Sequence, residues 1–218
     1  MRNNTKLFGA AAALAAVMAI PAVASADGHE NAMVRVLHGV GDAPAVDVYA
    51  NGDELIDALA FASITDYAVV PAGTYLIQVV PDGATIEEGP VVIEAELEFG
   101  EGTKTTVAAT GTLAGEAGII PQVVPDMPEP NAEGVQLRAS HFSFDAPAVD
   151  IAPVGGEPVL TDVPFGATSD YLDLPAGPID LEIRGAGSPD AVFTIPTLDL
   201  EAGNSYSAYA IGSFEEGT

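Results

Sequence analysis

The sequence predicts an all-β chain of two tandem antiparallel β-sandwich modules behind a signal peptide. Three observations lead there. The stretch His38-Gly39-Val40-Gly41-Asp42-Ala43-Pro44-Ala45-Val46-Asp47 returns as His141-Phe142-Ser143-Phe144-Asp145-Ala146-Pro147-Ala148-Val149-Asp150. Short runs of period two are broken by turn residues about every 8 to 12 positions. No convincing helical period exists outside the leader. The repeat also continues: Phe61, Thr65-Asp66-Tyr67 and Pro71-Ala72-Gly73 correspond to Phe165, Ser169-Asp170-Tyr171 and Pro175-Ala176-Gly177. The offset is 103 residues at the first motif (38 to 141) and 104 afterwards (61 to 165), so one folding unit occurs twice.

Residues 1–26 read as a secretory signal. Arg2 and Lys6 form the charged start, Leu7 to Ile20 the apolar run and Ala24-Ser25-Ala26 the cleavage site. The run is too short to span a bilayer as a helix. The first module is expected over residues 33–118, and its strands follow in order. Val34, Val36 and His38 take one parity, with Arg35 and Leu37 on the other. After a loop, Val46 and Val48 point inward and Asp47 and Tyr49 outward. Asn51-Gly52-Asp53 is a hairpin turn signal, and Asp57 to Ser63 leaves room for one helical turn at most. Pro71-Ala72-Gly73 reads as a hairpin corner before the strand Tyr75-Leu76-Ile77-Gln78-Val79. Val91 to Phe99 and Gly102 to Thr110 close the copy. Residues 119–132, with Pro121, Pro125, Pro128 and Pro130, read as an extended semi-rigid linker on which Val123, Val124 and Met127 are available for docking. The second module, residues 133–218, repeats the pattern through Ile179-Asp180-Leu181-Glu182-Ile183, Val192 to Leu200 and Gly203 to Ile211. Six or seven such strands per module is the pattern of an immunoglobulin-like or transthyretin-like sandwich, and each copy is expected to fold alone.

Charge narrows the partners. Thirty-two acidic residues against six basic give a net charge of −26, and loss of Arg2 and Lys6 with the leader makes it more negative. Nucleic acid is excluded, because phosphate binding needs clustered Lys and Arg. Adsorption to anionic membranes is disfavoured, and after the leader no apolar run is long enough to insert. With no cysteine, the modules carry no disulfide, thiol catalyst or Cys-ligated zinc.

The motif His-x-x-x-Asp-Ala-Pro-Ala-Val-Asp, followed by Phe-x-x-x-(Thr/Ser)-Asp-Tyr and Pro-Ala-Gly, resembles the domain-of-unknown-function 4397 family of exported bacterial and archaeal proteins. The resemblance spans roughly residues 33–115 and 134–214. It implies a fold, a tandem arrangement and an exported location, and it assigns no activity. Ile151-Ala152-Pro153 departs from the Val48-Tyr49 continuation of the first copy, and a Pro there suits an edge or a strand end.

The candidate site residues are few. His38 with Asp42, and His141 with Asp145, are weak metal candidates beside Asp47 and Asp150, since a site needs three or more converging ligands. The competing reading is structural: an imidazole bonded to an Asp pins its loop, while Asp47 and Asp150 form cross-strand ion pairs with Arg35 and Arg138. Tyr67 and Tyr171 are candidate interaction residues, against plain packing at the rim of the core. No catalytic residue is identifiable; neither repeated His has a serine at G-x-S-x-G spacing. The expected product is thus secreted or periplasmic, non-enzymatic and cofactor-free, with an extracellular protein or glycan as partner. Calcium binding, from Asp density in Gly39 to Pro44 and Asn51 to Glu54, is the first alternative, and an extracellular carbohydrate-active enzyme the second.

Overall fold

Each copy turns its alternating runs into seven strands, and the computed structural model describes them over residues 14–20, 31–114, 118–129 and 131–215. In chain order these are β1 Leu14–Ile20, then β2 Asn31–His38, β3 Val46–Ala50, β4 Asp53–Leu59, β5 Ala68–Pro71, β6 Gly73–Pro81, β7 Ile93–Phe99 and β8 Lys104–Gly111 of the first copy. The linker supplies β9 Ile119–Pro125. The second copy has β10 Gly134–His141, β11 Val149–Pro153, β12 Leu160–Val163, β13 Leu172–Pro175, β14 Gly177–Gly185, β15 Ala191–Leu200 and β16 Ser205–Ala210. Among the described residues no helix is long and apolar enough to cross a membrane.

The first copy layers sheet β4-β3-β6-β7 on sheet β5-β2-β8-β9; the second layers β12-β11-β14-β15 on β1-β16-β10-β13. Pairing is antiparallel with one exception per copy: β2 runs parallel to β8, and β10 to β16. The first and last strands of each copy thereby lie side by side and close the unit. Asn51 and Gly52, at φ 53° and 89°, form the tight turn that joins β3 to β4 as a hairpin. Pro153 ends β11, as its fixed φ and missing N–H favour.

Three expectations are corrected. The Pro-Ala-Gly turns are not hairpin corners, because β5 pairs with β2 while β6 pairs with β3 and β7. They carry the chain from one sheet to the other, and Gly73 and Gly177 sit there at φ 155° and 119°. The linker is no spacer: Ile119–Pro125 adds to β8 in full antiparallel register, and Val124 is buried. Finally, β2 and β10 are not strands with a single buried face. Arg35, Leu37, Arg138 and Ser140, on the parity expected to face outward, are buried, because the outer faces of β2 and β8 meet those of β10 and β16. Leu37, Ala108 and Val124 of the first copy and its linker pack there against Phe142, Tyr209 and Ile211 of the second.

Most of the expected leader lies outside the described residues. Its described part, Leu14–Ile20, lies antiparallel along β16. That is the position β9 occupies on β8 in the first copy.

Candidate functional site

The repeated histidines pin their loops, as the structural reading expected, but through a different partner. His38 Nε2 lies 2.9 Å from the Pro44 carbonyl, and His141 Nε2 lies 3.0 Å from that of Pro147. A carbonyl only accepts, so Nε2 carries the proton in both rings. Val40 N–H donates to His38 Nδ1 at 3.3 Å, which keeps that nitrogen unprotonated. Both rings are almost fully buried and meet Phe61 and Phe165 edge-on. Burial lowers both histidine pKa values against the raising effect of the carbonyl bonds.

Asp42 and Asp145 do not touch these rings. Asp42 accepts from the Thr112 hydroxyl at 2.7 Å and from the N–H groups of Leu113 and Ala114 at 2.9 Å each. Asp145 repeats this with Ser213, Phe214 and Glu215. Each carboxylate thus ties the first loop of its copy to the segment after its last strand. Burial pushes both carboxyls up, but these bonds to the charged form outweigh it and hold both lowered.

Asp47 and Asp150 are also corrected: both are buried, and neither lies beside Arg35 or Arg138. Asp47 is buried and accepts from Ala58 N–H at 2.8 Å and Gly83 N–H at 3.0 Å. Asp150 accepts from Asp162 N–H at 2.7 Å and Gly187 N–H at 2.9 Å. Ala58 and Asp162 hold matching positive φ values of 52° and 53°, so each carboxylate secures a strained bend in an edge strand. The two N–H bonds lower the Asp150 pKa. Ligand atoms of Asp47, Asp57 and Asp82 lie within 4.8 Å of one another. The second copy has Thr161 and Ala186 at the places of Asp57 and Asp82, so the three-carboxylate group is not part of the repeat.

The arginines converge on a residue that the repeat does not contain. Asp126, fully buried just after β9, pairs with Arg138 and lies 3.6 Å from Arg35 Nε. It accepts from the hydroxyls of Thr106 at 2.5 Å and Tyr67 at 2.6 Å. Arg35 Nε donates to Thr106 Oγ1 and its Nη2 to Tyr209, while Arg138 Nε donates to Ser207 Oγ and its Nη1 to the Pro125 carbonyl. One carboxylate therefore serves two guanidinium groups from two copies at a water-excluded interface. Sequence reasoning missed it, because the linker's docking on β8 brings Asp126 there.

Tyr67 and Tyr171 are half-buried, each with an arginine over its ring: Arg35 at 4.6 Å and Arg138 at 4.7 Å from the centroids. Burial pushes the Tyr67 pKa up to about 12. Its hydroxyl has taken the shared Asp126, whereas the buried Tyr171 hydroxyl finds no partner of good geometry among the described residues. Tyr67→Phe should therefore cost about 1.5–3 kcal/mol, the range for a hydrogen bond to a charged group, and Tyr171→Phe close to nothing. Urea midpoints of the two variants check this; equal losses would contradict the assigned asymmetry.

The pKa directions set the pH dependence. Both histidines titrate below their unfolded value of 6.5, so between the two values the unfolded chain binds more protons and stability rises with pH. This contribution is complete above 6.5 and is lost on acidification. The lowered carboxyls of Asp42, Asp145 and Asp150 act in the same sense below their unfolded value of 3.8. In about 0.5 M NaCl, which screens the net charge, the melting temperature should fall from pH 7 to 5 and again below pH 4. A constant or rising melting temperature from pH 7 to 5 would contradict it.

These features define a class, a tandem β-sandwich protein whose repeated polar residues brace its own loops and whose modules meet through a buried ion cluster. The chain belongs to the family described as Domain of unknown function (DUF4397), whose model matches residues 32–152 and 153–218. No curated protein matches the sequence. Among solved structures it is similar to "The Bacillus anthracis TIE protein", at 12% identity and a TM-score of 0.25, over 84% of this chain and 34% of that one.

Proposed function

We propose that the chain is an exported, non-enzymatic protein that works by surface contact, at the cell surface or in the extracellular matrix, with a protein or glycan partner. The edge of β16 carries this reading. In the first copy the equivalent edge, that of β8, is closed by Ile119–Pro125, whereas β16 is covered by Leu14–Ile20 of the expected leader. Cleavage after Ala26 would strip that cover and leave the N–H and C=O groups of Ser205–Ala210 open to a strand from an extracellular protein. The repeated His and Asp residues support the non-enzymatic part, since both Nε2 atoms and the carboxylates already hold loops. Expression with the native leader should give an exported product whose first residue is Asp27. In that product the amides of Ser205–Ala210 that faced β1 should exchange faster than those of Lys104–Gly111 that face β9. A retained, unprocessed chain would overturn the reading.

A calcium-stabilised module is the second reading, favoured by the carboxylates of Asp47, Asp57 and Asp82. Calcium takes six to eight oxygen ligands, and Asp47 is already engaged by two N–H groups. A rise in melting temperature with micromolar calcium that is lost in Asp57→Asn would favour this reading over the first.

A further inference from the structure

The two copies differ in their interiors. Between the sheets of the first copy lies a cavity of about 630 Å³, and the corresponding space in the second is about 20 Å³. Strand register shows why. Val34, Ala68, Val70 and Ala95 line the cavity, and the residues at the same register in the second copy are Leu137, Leu172, Leu174 and Ile195. At these four inward positions the first copy carries the smaller side chain; at four others the order is reversed, with Val36, Tyr75, Phe99 and Val107 against Ala139, Ile179, Leu200 and Ala208, so the space opens where Ala68 and Ala95 stand. Burial differs accordingly: Leu137, Leu181 and Ile195 are buried, while Val34, Ile77 and Ala95 are only half-buried. The core of the second copy is one cluster, and that of the first is divided into two.

We propose that the first sandwich binds an uncharged apolar small molecule between its sheets. Open at one edge, the pocket leaves its largely apolar walls against water unless a ligand covers them, and 630 Å³ lies within the range of ligand pockets. The lining defines the ligand class. Its polar members are Thr65, Asp66, Tyr67 and Tyr75; Thr65 Oγ1 accepts from Val36 N–H, and the Tyr67 and Tyr75 hydroxyls donate to Asp126 and to the Pro71 carbonyl. The Thr65 hydroxyl proton is the one donor these side chains leave for a ligand, enough for a single neutral polar atom and not for a charged headgroup. A peptide would bury backbone N–H and C=O groups without partners, and an anionic headgroup would meet Asp66 in a chain of net charge −26. An uncharged hydrocarbon chain meets neither penalty. The opening lies at the edge strands, where Ala68 is exposed despite its inward parity and Leu55 of β4 is 59% exposed. This proposal does not rest on the export and contact reading.

The test is fluorescence titration of the full chain with Nile red, a neutral apolar probe, followed by displacement. Saturable binding at one site is expected, with dodecanol displacing the probe at least tenfold more effectively than dodecanoate. Installing the second copy's residues, as Ala68→Leu with Ala95→Ile, should weaken probe binding at least tenfold while the melting temperature holds or rises. If that double variant does not fold, Val34→Leu alone should weaken binding in a folded chain. No saturable binding, or binding unchanged in the folded cavity-filling variant, would overturn the proposal. Equal displacement by dodecanol and dodecanoate would overturn the uncharged class.

Discussion

Asp126→Ala should destabilise the chain by about 3–5 kcal/mol, the usual cost of removing one partner from a buried ion pair. The loss falls at the upper end because the change strands two charges. Arg35 and Arg138 are each 3% exposed, so both guanidinium groups would be left largely dehydrated without a counter-charge. The Thr106 and Tyr67 hydroxyls lose their acceptor as well. Asp126→Asn distinguishes charge from shape, since it keeps the volume and an acceptor oxygen but leaves the arginines unbalanced. It should therefore lie close to Ala. Urea unfolding of both variants checks this, and a loss under about 1 kcal/mol, the range of an exposed pair, would show that the cluster is open to solvent.

Phe142→Ala should cost a similar amount, about 3–5 kcal/mol, for an apolar reason. Phe142 is fully buried and stacks on Tyr209, with centroids 6.0 Å apart and planes at 29°. Its cluster includes Leu37, Ala108 and Val124 from the other copy and its linker, so truncation opens a hole at the junction. The repeat places Gly39 at the equivalent position. A Cβ there would come within 2.8 Å of the Ala109 carbonyl oxygen and 3.3 Å of the Ile211 side chain. The junction therefore takes a ring from one copy and needs the absence of a side chain in the other. A ΔΔG below about 1 kcal/mol for Phe142→Ala would contradict this packing.

What the sequence made legible was local. The tandem repeat, the strands and the Asn51-Gly52 hairpin follow from periodicity and turn chemistry between near neighbours. The loop-pinning role of His38 and His141 was readable for the same reason, although the acceptors proved to be the carbonyls of Pro44 and Pro147, six residues on in each case. Contacts that depend on the stacking of one copy on the other were not legible. Arg35 and Arg138 stand on the parity that faces solvent in a lone sandwich, so a cross-strand Asp was the economical partner. The sign that pointed elsewhere was small: both arginines lie beside short hydroxyl residues, Thr106 and Ser207, in the parallel neighbour. The cavity was beyond reach for another reason. Val34 against Leu137 and Ala95 against Ile195 are ordinary substitutions until strand pairing shows that they meet in one space.

The junction of Asp126 and Phe142 makes the two sandwiches one cooperative unit, in place of the expected two copies that each fold alone, and scanning calorimetry of the full chain tests this most directly. A single transition with equal calorimetric and van't Hoff enthalpies is predicted, dividing into two in Asp126→Ala. Two independent transitions in the unaltered chain, both unmoved by Asp126→Ala, would contradict it.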